Sequence, residues 1–77
     1  MKPNHEVIIV QVPPDQIMFL DRIFEGTDGI GIVSTVDAGR GLVLVRVTPE
    51  TYSDAVEIVK TAPVSARILT DAEIKAL

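Results

Sequence analysis

The chain has 77 residues, 47% of them hydrophobic, no cysteine, and a formal net charge of −4 from seven Lys and Arg against eleven Asp and Glu. That length holds one domain burying only about 60% of its unfolded surface, and without cysteine neither a disulfide nor a thiolate-bound metal can reinforce it. The basic residues Lys2, Arg22, Arg40, Arg46, Lys60, Arg67 and Lys75 form no run, so the footprint of a phosphate-backbone binder is missing and no nucleic-acid partner is expected.

Periodicity predicts six main elements in the order strand, helix, strand, strand, helix, strand. Residues Glu6–Val12 are expected to be extended: Val7-Ile8-Ile9-Val10 is a β-branched run of the kind a central strand carries, and Pro13-Pro14 ends it. The first helix is placed over Pro14–Glu25, with acidic Asp15 in its first turn and Gly26 as its stop. At 100° per residue Ile17, Phe19, Leu20, Ile23 and Phe24 share its apolar side, while Met18 falls on the polar side. Strands are expected over Ile30–Val36 and Leu42–Val47, paired through the glycine-containing turn Asp37–Gly41. A second helix is placed over Pro49–Lys60, capped by Thr48, with Tyr52, Ala55, Val56 and Val59 forming its inward stripe. A last strand over Val64–Leu69 precedes Thr70-Asp71-Ala72-Glu73, whose spacing is that of a capping box, so a short helix over Asp71–Leu77 is expected.

This order is the ferredoxin-like split βαβ unit, an α+β sandwich of four antiparallel strands with two helices on one face. The alternation of the Leu42–Val47 strand sends Val43, Val45 and Val47 to the helices and Leu42 and Leu44 to the other face. Successive side chains of Val7 to Val10 also divide between the faces. The outer face is therefore expected to be aliphatic, which marks an interface, and a homodimer or higher assembly through Leu42, Leu44 and Ile74 is expected. The competing arrangement has the terminal helix fold back over that face through Ile74 and Leu77.

No catalytic machinery is visible, and the protein is not expected to be an enzyme. His5 is the single histidine and lacks a carboxylate cluster, so neither a metal nor a general base is expected there. Ser34, Ser53 and Ser65 lack a nearby histidine, and no cofactor motif occurs. The glycines of Gly26–Gly31 lie between a helix and a strand, the reverse of a dinucleotide loop. Gly31, inside the expected strand, implies a close backbone approach or a bulge. The strand-to-helix junction Val12–Gln16 presents helix-start amides beside Asp15 and Gln16, which suits an anionic group; alternatively Asp15 simply caps its own helix. Asn4, His5 and Glu6 interrupt any apolar leader and no apolar stretch nears 18 residues, so no membrane association is expected and the location is expected to be cytoplasmic.

The segment Asp15-Gln16-Ile17-Met18-Phe19-Leu20-Asp21-Arg22-Ile23-Phe24-Glu25-Gly26, followed by Asp28-Gly29-Ile30-Gly31-Ile32-Val33-Ser34-Thr35-Val36-Asp37, resembles a family of short bacterial proteins known as domain of unknown function 4911. Gly41–Val45 and the Pro49–Val59 helix extend the resemblance over most of the chain. It implies no activity. The element order also resembles an ACT domain, a small regulatory module that binds amino acids between paired subunits through the loop after its first strand. Asp15 matches that loop's aspartate, but Pro13-Pro14 stand where its glycine is usual.

Together these readings predict a regulatory module that binds a small, amino-acid-like molecule as a homo-oligomer, near Asp15 and Gln16 and against Gly29 and Gly31 of a neighbouring copy. The alternative is a structural or interaction protein whose exposed sheet docks onto a larger partner.

Overall fold

The computed structural model describes residues 6–77; His5 and Lys2 lie outside the described residues. Strand β1 (Val7–Gln11) leads through a 3-10 turn (Pro14–Gln16) into helix α1 (Ile17–Glu25). Strands β2 (Ile32–Asp37) and β3 (Leu42–Arg46) follow, then α2 (Tyr52–Thr61), β4 (Arg67–Ile68) and α3 (Asp71–Lys75). The sheet order is β2-β3-β1-β4 with every neighbouring pair antiparallel, as the ferredoxin-like reading requires.

Most element boundaries differ from the expected ones for local reasons. The two prolines enter a 3-10 turn instead of an α-helix, and Gln16 N–H donates to the Pro13 carbonyl at 2.8 Å. Helix α2 begins at Tyr52 because Thr48 and Thr51 bond to each other: the Thr48 amide donates to Thr51 Oγ1 at 3.1 Å, making a turn of residues 48–51. Strand β4 shrinks to two residues, since Ser65 N–H is taken by a side chain instead of by a strand. The capping box is present as expected, with Thr70 and Glu73 each bonding the other's backbone amide.

Alternation sorts β1 and β3 into two faces. Ile8, Val10 and Val12 join Val43, Val45 and Val47 under Leu20 and Phe24 of α1 and Ala55 and Val59 of α2. No polar side chain is buried among the described residues, so this inner face is held by apolar packing alone. Phe19, expected on the inward side of α1, is 49% exposed. The buried stripe is centred between Leu20 and Phe24, and Phe19 lies 100° or more away from both at helical spacing. Met18 is exposed, as its position on the wheel implied.

Two glycines are fixed by geometry. Gly41 has φ +70°, and a Cβ there would overlap the carbonyl oxygen of Val12, whose own N–H donates to the Gly41 carbonyl at 2.9 Å. Gly31 sits just before β2; a Cβ would come within 3.0 Å of Val45 Cγ1 and 3.2 Å of Val47 Cγ1. Its small size therefore serves the packing of the inner face.

Candidate functional site

The strand register lays the outer face out in rows. Ile32, Arg46 and Val7 form one row, Ser34, Leu44 and Ile9 the next, and Asp37, Leu42, Gln11 and Arg67 the last. The three rows differ in what covers them.

In the last row Leu42 is only 3% exposed. Expected to be a bare aliphatic at an interface, it is instead already covered within the chain, between Asp37 and Gln11 and at the foot of the turn that precedes it. That turn is held by Arg40 N–H donating to Asp37 Oδ1 at 3.2 Å and by Gly41 N–H donating to the Ala38 carbonyl. Gln11 crosses the row. Its Nε2 donates to the Arg40 carbonyl at 3.3 Å, and its Oε1 accepts from Arg67 at 2.9 Å. The other side of the Arg67 guanidinium is paired with Glu73 of α3.

Leu44 is half-buried, and Ile74 lies at the margin of exposure. Ile74 shares a hollow of about 490 Å³ with Val7, Ile9 and Leu69, so α3 reaches back over the β1–β4 side of this face. Leu69 is buried there, and its N–H donates to the Ile9 carbonyl. Among the described residues nothing covers β2 in this way: Ile32 is 69% exposed, and Val36, at the register shift of β2, is exposed too.

The expected ligand residues fall in two places. Asp15 and Gln16 sit on the 3-10 turn, Asp15 exposed and without a capping hydrogen bond at either the turn or α1. Gln16 is committed within the chain, its Oε1 accepting from Ser65 N–H at 2.8 Å. Gly29, with φ +72°, and Gly31 line a separate hollow of about 330 Å³ beside Arg46 and Val47. The two places lie at opposite ends of β3, four residues apart and hence roughly 13 Å at strand spacing. One chain therefore does not bring Asp15 and Gln16 together with Gly29 and Gly31.

What the junction after β1 does form is an open cleft of about 390 Å³ between Val12-Pro13-Pro14 on one side and Arg40, Ser65 and Arg67 on the others. Sequence reasoning missed both arginines, because they are 27 positions apart and belong to no run. Only the pairing of β1 with both β3 and β4 brings them to one end of the sheet. Glu73 has its carboxyl held below the ordinary range, first by the Thr70 backbone amide and then by the Arg67 guanidinium. Among the described residues no group of His, Cys, Asp and Glu converges as a metal site, and no helix is long and apolar enough to cross a membrane.

Neither a curated protein nor a solved structure matches the chain. A family model does: the one described as "Domain of unknown function (DUF4911)" matches residues 10–65. That span runs from the end of β1 through α1 and α2 to Ser65, more than half of the sequence, and the chain accordingly belongs to this family.

Proposed function

We propose that this protein is a non-catalytic regulatory module that works as a homo-oligomer and takes a small, amino-acid-like molecule at the junction of β1 and α1. The observation that carries the reading is the cleft beside Val12-Pro13-Pro14, where two of the chain's few basic side chains, Arg40 and Arg67, meet a loop pinned by Gly41. A rigid loop next to convergent polar groups is the usual construction of a small-molecule site. ACT-like element order agrees with it, as that module binds its ligand after the first strand. The oligomer is supported by the bare β2–β3 part of the outer face, where Ile32, Val36 and the half-buried Leu44 lie.

Melting temperature measured against a panel of free amino acids and nucleotides tests the ligand part. One ligand class should raise it, and Arg40→Ala should abolish that rise. A melting temperature indifferent to the whole panel contradicts the reading. The second reading, docking onto a larger protein, is favoured by the same exposed Ile32 and Val36. It would be distinguished by Leu44→Asp abolishing association while no small molecule shifts the melt.

A further inference from the structure

We propose that the cleft at the end of β1 binds a small anion, a carboxylate or a phosphate, between the guanidinium groups of Arg40 and Arg67, and that Glu73 of α3 is its built-in competitor. This rests on the reading of the junction as a small-molecule site and adds the charge of the ligand and the element it moves.

The Arg40 side chain is exposed and makes no hydrogen bond or ion pair among the described residues, although its backbone is fixed at both ends by Asp37 and Gln11. Arg67 is aimed by Gln11, the same residue that holds the Arg40 carbonyl. A single amide side chain thus ties the Arg67 guanidinium to the Arg40 backbone. Planar guanidinium groups presenting several N–H donors suit the paired oxygens of a carboxylate or phosphate. In the unliganded arrangement one such place on Arg67 is filled by Glu73 Oε2, while Glu73 Oε1 accepts from the Thr70 amide. The Arg67–Glu73 pair is exposed, with 55% and 36% of the two side chains accessible, so an incoming anion exchanges with it at a cost of only a few-fold in affinity.

That exchange has a structural consequence. Helix α3 has five residues and buries none of them, so its capping box and the Arg67 contact are its main anchors. An anion that takes Arg67 from Glu73 loosens α3 over Leu69 and Ile9. Linkage requires the reverse as well: docking of α3 weakens anion binding by the same factor.

The test is a titration of isotope-labelled full chain with inorganic phosphate at constant ionic strength, followed by backbone amide and arginine side-chain resonances. Saturable shifts are expected at Arg40, Ser65 and Arg67, together with shifts in α3. Glu73→Gln keeps the capping box, because glutamine serves equally at that position, but removes the competing charge. It should tighten phosphate binding roughly two- to fivefold. Arg40→Ala should remove saturation while leaving the spectrum dispersed. Equal affinity in wild type and Glu73→Gln overturns the competitor role. Linear shifts reproduced by chloride, in both proteins, overturn the anion site. Should a neutral molecule raise the melting temperature while phosphate does nothing, the anion inference fails and the small-molecule reading stands.

Discussion

The two faces of the sheet are built by different rules. The inner face is uniform: Ile8, Val10 and Val12 meet Val43, Val45 and Val47 beneath two helices, with no polar side chain buried among the described residues. The outer face is divided. On its β1–β4 side Gln11 and Arg67 form a bonded chain that ends on Glu73 of α3, and Leu69 is buried there, as is Leu42 of the adjoining β3. On its β2 side Ile32 and Val36 stand exposed. Buried apolar packing is therefore concentrated on one face, while the other carries an exposed ion pair on one half and exposed aliphatic side chains on the other.

Substitutions separate the two faces by magnitude. Phe24→Ala or Leu20→Ala removes a fully packed inner-face side chain and should cost about 3–5 kcal/mol in chemical denaturation. Gly41→Ala should come next, at about 2 kcal/mol or more, since it combines a left-handed backbone with overlap onto the Val12 carbonyl. Ile74→Ala on the outer side should cost less than about 1 kcal/mol, because the side chain is already partly in water. If Ile74→Ala rivalled Phe24→Ala, the division between faces would collapse. Ile32→Asp should change stability by less than about 0.5 kcal/mol while disrupting self-association.

The smallest effect concerns pH. The Glu73 carboxyl titrates below its ordinary value of 4.5 in the folded chain, so its contribution is fully present above that value and is lost as the pH falls through the lower, folded one. Protection of the α3 amides, relative to their intrinsic exchange rates, should therefore fall in that acid range before the sheet opens. Glu73→Gln should remove the pH dependence specific to α3.

The elements, their order along the chain and the inner face were legible because they rest on short-range periodicity: the β-branched run of β1, the alternation of β3, and the stripe of Tyr52, Ala55, Val56 and Val59. The capping box of Thr70 and Glu73 was legible for the same reason, being a contact three residues long. The cleft was only half legible. Its position after β1 follows from chain order, but Arg40 and Arg67 reach it through strand pairings that no local pattern encodes, and Gln11 and Arg67 are 56 residues apart. Leu42 misled because alternation tells which face a side chain takes and says nothing of what covers it. The bond from Ser65 to Gln16 was likewise illegible, since the two lie 49 residues apart.

The most direct test of the oligomeric module is the solution mass of the wild-type protein and of Ile32→Asp, by light scattering over a range of concentrations. The account predicts a dimer or larger species for the wild type and a folded monomer for the variant. A wild type that stays monomeric throughout, with or without the amino-acid panel, would contradict it.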